Sequence, residues 1–244
     1  MWALVNRSRY GADRTWVRDR DGRHLWIVAI KASFVFDAGG RLRLADEQPP
    51  PLPAPEWRGE PGLSSLIYEA ELTAPPPTTD VIVQGAAYAP GGRPARVVEV
   101  GLAVAGLEKR LRVHGPRVYR ARVLGGYAPG EAEPFVRQPL SYELAFGGMD
   151  LTPPDPADQR IDSRNPVGRG VVGRGRTLRD QPAHQIEYAD GSTQPAGFGP
   201  IASHWSPRLE RQGTYDEAWS RGRRPLLPHD YDPAALQAAP DDQR

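Results

Sequence analysis

The chain has 244 residues, with 31 basic and 30 acidic side chains, a net charge of +1 and no cysteine. So even a balance argues against a general nucleic-acid binder, which carries a basic surplus, and the missing thiols exclude disulfides, a cysteine nucleophile and thiolate metal sites. No apolar run approaches the ~20 residues of a membrane span, and the opening Met1-Trp2-Ala3-Leu4-Val5-Asn6-Arg7 brings a charge without an apolar core after it, so no leader, no membrane and a cytoplasmic location are expected.

The 26 glycines and 27 prolines, set among strand-like runs, predict a mostly β body with many rigid turns. Asp21-Gly22 signals a hairpin, and the run from His24 to Phe36 is apolar on both faces, as in a central strand buried on two sides. Gly39-Gly40 turns the chain into a half-exposed strand at Arg41–Leu44. Proline density breaks the chain over 49–62. Strands are then expected at Ser65–Thr73 and Asp80–Gly85, separated by the Pro75-Pro76-Pro77 connection. The clearest hairpin follows: Val98, Val100, Leu102 and Val104 alternate on one arm, and Leu107, Lys109, Leu111 and Val113 on the other, about a turn near Gly106. Val118–Leu124 and Leu140–Phe146 read as two more strands.

Beyond Asp150 periodic runs give way to turn words such as Asn165-Pro166 and Gly197-Phe198-Gly199-Pro200. Trp205, Tyr215, Trp219 and Tyr231 argue against disorder there. The expected fold is therefore an antiparallel β-sandwich-like body in one domain over 1–244, its strand-rich part at 1–150 and a loop-rich part at 151–244 packed on it. Few short helices are expected, near Asp216–Arg221 and from Asp232.

Catalytic patterns are missing. The five histidines show no metal-binding spacing, no Gly-x-Ser-x-Gly occurs, and Asp241-Asp242 reads as a solvated terminal charge pair. No catalytic residue, metal or cofactor is expected. Lys31 and Lys109, the only lysines, both sit among apolar neighbours. Such a lysine is either a tuned base or, more commonly, a covered stem whose ammonium reaches a carboxylate. Arg160, Arg164, Arg169, Arg174, Arg176 and Arg179 share a glycine-rich stretch that lacks any aromatic for base stacking, which favours a solvated loop or an acidic protein partner over nucleic acid. Trp205, Arg208, Tyr215 and Trp219 are of the types that dominate interface hot spots, and equally of those that pin loops to a core.

Nine words in order carry a resemblance: Lys31-Ala32-Ser33-Phe34, Asp80-Val81-Ile82-Val83-Gln84-Gly85, Tyr88-Ala89-Pro90-Gly91-Gly92, Ala145-Phe146-Gly147-Gly148-Met149-Asp150, Asn165-Pro166-Val167-Gly168, Pro195-Ala196-Gly197-Phe198-Gly199-Pro200, Trp205-Ser206-Pro207-Arg208, Gly213-Thr214-Tyr215-Asp216 with Trp219, and Pro228-His229-Asp230-Tyr231-Asp232. Together they resemble the DUF2169 family over nearly the whole chain. The resemblance implies a non-catalytic adaptor or chaperone that binds a type VI secretion effector protein and aids its loading onto a VgrG-type spike protein. Its functional surface is then expected at Arg164, Arg169, Arg174, Arg176, Trp205, Arg208, Tyr215 and Trp219, with the other motif positions, Lys109 among them, structural. In one departure, the family pattern at Ala239-Pro240-Asp241-Asp242-Gln243 stops at Arg244, where relatives continue into more strands, so either a naturally short member or a trimmed chain is expected, the latter with an uncovered strand edge. Two alternatives stay open from the residues alone: a hydrolase-like enzyme using Asp150, His204, Asp216 and His229, and a structural or glycan-binding β-module.

Overall fold

The computed structural model describes residues 3–244; Met1 and Trp2, part of the segment read as leaderless, lie outside the described residues. The chain is mostly β with few helices, as expected, and its strands form eight small sheets among the described residues, seven of them two-stranded. In order these strands are β1 (Gly11–Arg18), β2 (His24–Lys31), β3 (Phe34–Phe36), β4 (Leu42–Leu44), β5 (Glu56–Trp57), β6 (Leu66–Tyr68), β7 (Ala86–Tyr88), β8 (Val97–Val104), β9 (Leu107–His114), β10 (Tyr119–Ala121), β11 (Tyr127–Pro129), β12 (Arg137–Pro139), β13 (Phe146–Gly147), β14 (Met149–Asp150), β15 (Arg160–Ile161), β16 (Arg169–Gly170) and β17 (Ile186–Tyr188).

The hairpin read from alternation is β8–β9, paired without a break from Val97↔His114 to Val104↔Leu107. Ala105 and Gly106 both take positive φ, 48° and 89°, as a two-residue turn between twisted strands requires. Its inward row, Lys109, Leu111 and Val113, is buried, and β17 extends the sheet along β9. Against this sheet pack Tyr142, Leu144, Phe198 and Trp205. Trp205 is wholly buried and meets Tyr142 edge-on at 5.7 Å between ring centroids. Part of the core, Ile186, Ala196, Phe198, Ala202 and Trp205, comes from the irregular second half.

Helix α1 (Glu217–Gly222) forms where the sequence places it, capped by Asp216, which accepts from the Trp219 N–H at 2.8 Å. At Asp232 the capping signal yields only a 3₁₀ turn, Pro233–Leu236. Three strand expectations need correction. Asp80–Gly85 is extended but joins no ladder, because Val81 and Val83 donate instead to the Gln243 and Phe198 carbonyls of irregular segments. Leu140–Phe146 folds through a 3₁₀ turn at Tyr142–Leu144. The run His24–Phe36 is not a central strand: it divides into β2, paired only with β1, and β3, paired only with β4. Val28, Ile30 and Phe36 remain 57%, 68% and 75% exposed, so the two-faced apolarity that suggested a covered strand here marks an uncovered one.

Candidate functional site

The motif residues form three internal ties. In the first, Lys109 projects from β9 into the core and is 4% exposed. Its ammonium donates to the Gly197 carbonyl at 2.6 Å, Asp242 Oδ1 at 2.8 Å and Gln243 Oε1 at 2.7 Å, beside the rings of Tyr188 and Phe198. Burial pulls its pKa down and the Asp242 contact opposes that, so the covered, paired form of the lysine is the one present. Asp242 also accepts from the Tyr188 hydroxyl at 3.0 Å, so this partly solvated terminal charge is engaged on its inner side. Asp80 fastens the same segment by accepting from the Ala238 and Ala239 N–H groups at 2.6 and 3.1 Å. Gly199 adds a carbonyl to the Tyr142 hydroxyl, and a side chain at Gly197 would strike the Tyr142 ring.

The second tie centres on Asn165, which is fully buried. Its side-chain amide donates to the Tyr142 and Phe146 carbonyls at 2.9 and 2.8 Å, while its own carbonyl accepts from Gly148 and Gly168. Gly147, at φ 137°, lies so close that an added Cβ would sit 2.3 Å from the Asn165 carbonyl oxygen. Pro166 follows in the same turn. Beside it, Asp150 accepts from Thr152 and from the Gly173 N–H at 2.9 Å, and faces Arg176 at 3.2 Å; these contacts draw its carboxyl down to about 2.

The third tie is α1 and its flank. Asp230 holds Thr214 through its N–H and hydroxyl, Gly213 at φ 82° admits the close passage of Asp230, and Pro228 is buried beneath. Gly85 is simpler, accepting from the Leu140 N–H at 3.0 Å with open space around it.

The eight residues read as a partner surface do not converge. Burial removes Trp205 and Arg208 from it: Arg208 is 5% exposed, donating to Ala235 and Ile201 carbonyls and pairing with Glu69 at 2.5 Å. Tyr215 is 52% exposed and stacks edge-on with Trp219, whose indole N–H is occupied by the Leu226 carbonyl. Arg164 pairs with Asp162 and Arg176 with Asp150, whereas Arg174 is exposed with no ion pair among the described residues. Arg169 is half-buried and its pKa is lowered by burial.

Sequence reasoning missed a carboxylate cluster. Glu187 on β17 takes His114 Nε2 at 2.7 Å, Arg117 at 3.1 Å and His184 Nε2 at 3.5 Å, and these donors hold its pKa far below the carboxylate range. The Tyr119 hydroxyl lies 2.8 Å from His184 Nδ1, and burial raises it to about 12. The partners are spread over the sequence, so no spacing announced them. The cluster is tightly covered and opens into none of the larger cavities. Asp150, His204, Asp216 and His229 share no hydrogen bond or ion pair; each contacts its own neighbours. Among the described residues no three His, Asp or Glu side chains are placed to share a metal ion, and no helix is long and apolar enough to cross a membrane.

A cavity of about 970 Å³ lies elsewhere: a slot beside β2. Trp26–Lys31 line one side and Ile67–Glu71 another, with Pro75 and Pro76 nearby. Lys31 Nζ and Glu71 Oε2, 2.7 Å apart, join the two walls. Glu71 also accepts from the Leu52 N–H, so this pair is structural bracing.

These features define a mostly β protein whose irregular half is tied down by buried polar residues and which carries a slot of mixed polar and apolar lining beside β2. The chain belongs to the DUF2169 family, described as an uncharacterized protein conserved in bacteria, which matches residues 21–244. No curated protein and no solved structure matches it.

Proposed function

We propose that this chain works by binding and not by catalysis, as a cytoplasmic adaptor or chaperone that holds a type VI secretion effector for loading onto a VgrG-type spike. The observation that carries the binding part is the exposure of apolar side chains on β2 and β3: among the described residues Val28, Ile30 and Phe36 are each more than half exposed. Exposed apolar side chains that gather into a patch mark interaction sites. The secretion role rests on the family words.

Deleting the gene tests the reading. One toxin-like effector should disappear from the secreted fraction while the spike protein is still secreted, and a plasmid copy should restore it. Effector abundance and secretion that stay unchanged would refute it.

A further inference from the structure

We infer that β2 is a docking edge, to which an uncharged, alternately apolar segment of a partner protein adds as an extended strand inside the slot. This deepens the binding proposal and rests on it.

At the β1–β2 hairpin the Asp19 N–H donates to the Arg23 carbonyl at 3.0 Å, and the chain turns back through Gly22 at φ 86°. Hydrogen-bonded pairs alternate with non-bonded ones in an antiparallel ladder. Val17↔Leu25, Thr15↔Ile27, Asp13↔Ala29 and Gly11↔Lys31 are therefore the bonded pairs. His24, Val28 and Ile30 turn their N–H and C=O groups away from β1. These groups have no backbone or side-chain partner among the described residues.

A bare edge is normally blunted by charges, proline or a bulge. The outward positions Val28 and Ile30 carry none of these, and both are exposed. The slot runs beside β2, lined there by the six residues Trp26–Lys31 and across from it by the five residues Ile67–Glu71. The shorter of these stretches matches an extended segment of about five residues, roughly 17 Å.

Charge fixes the chemistry of the occupant. The slot's acids are already engaged: Glu69 by Arg208, Glu71 by Lys31, and Asp80 by the Ala238 and Ala239 N–H groups. A charged guest would bury its charge without a counterion, at high cost. A neutral strand meets main-chain donors and acceptors on β2 and apolar side chains beside them, the pattern of strand addition to a sheet edge.

The test pans random peptides of about twelve residues, more than twice the slot length, on the full chain. Binders should alternate apolar and neutral residues, and should slow amide exchange at Val28 and Ile30. Methylating alternate backbone nitrogens of the best peptide should weaken it roughly tenfold or more, since each lost main-chain bond leaves a buried acceptor unpaired. The substitution Ile30→Pro, with folding checked by circular dichroism, should weaken it similarly. Failure to select any binder, methylation without effect, or sedimentation showing that β2 instead pairs with a second copy would overturn the inference. None of these outcomes bears on the gene deletion, which judges the adaptor reading separately.

Discussion

The ammonium of Lys109 and the carboxylate of Asp242, 133 residues apart in sequence, meet at 2.8 Å and fasten the end of the described chain to the central sheet. The contact is lopsided: the lysine side chain is 2% exposed and the aspartate side chain 40%. Most of the desolvation cost falls on Lys109, and the Gly197 and Gln243 oxygens help offset it.

Lys109→Met should therefore cost about 3 kcal/mol, because it strands three acceptors, two of them covered. Asp242→Asn should cost less, about 1 kcal/mol, since water reaches that group. Urea unfolding of both single variants and the double variant measures the coupling. Additive losses would show that the two residues act independently, contrary to the geometry.

A second prediction separates backbone freedom from close packing. Gly147 and Gly91 both have positive φ, at 137° and 62°. A methyl group at Gly91 meets nothing within 4 Å, whereas at Gly147 it meets the Asn165 carbonyl oxygen at 2.3 Å. Gly91→Ala should cost about 1 kcal/mol, the backbone penalty alone. Gly147→Ala should cost about 3 kcal/mol or prevent folding, because strain and overlap act together. Equal effects in thermal unfolding would mean that the Asn165 turn yields easily.

What the sequence made legible was local. Alternation over Val98–Val113 located β8 and β9 because both arms and their turn lie within one short stretch. The Asp216 cap located α1 for the same reason. The ties around Asn165 and Asp80 were visible only as motif words and that of Lys109 only as a covered lysine in search of a carboxylate, since their side-chain partners lie 19 to 159 residues away. Trp205 and Trp219 could not be sorted in advance, because core pins and exposed anchors draw on the same residue types. The apolar run through β2 gave the strand correctly but not its surroundings: apolarity records a preference for cover, and within the described residues Val28 and Ile30 remain largely uncovered.

The last prediction concerns acid. Glu187 and Asp150 both have folded pKa values below their ordinary ones: Glu187 through His114, His184 and Arg117, and Asp150, at about 2, through Thr152, Gly173 and Arg176. A depressed carboxylate binds its proton more readily in the unfolded chain, so its stabilisation is complete above the unfolded pKa and drains away as pH falls. For Asp150 the loss runs from about pH 4 to about pH 2, the interval between its ordinary and folded values. For Glu187 it begins in the ordinary carboxylate range and continues into strong acid. Glu187→Gln should lower stability at pH 7, where His114 and Arg117 lose their anion, and should flatten the acid limb of the stability curve by removing one of the depressed carboxylates. The midpoint of urea unfolding, followed from pH 7 to pH 2, reads both effects. A variant whose acid limb runs parallel to that of the parent would show that protonation of Glu187 does not drive acid unfolding, leaving Asp150 as the group to test next.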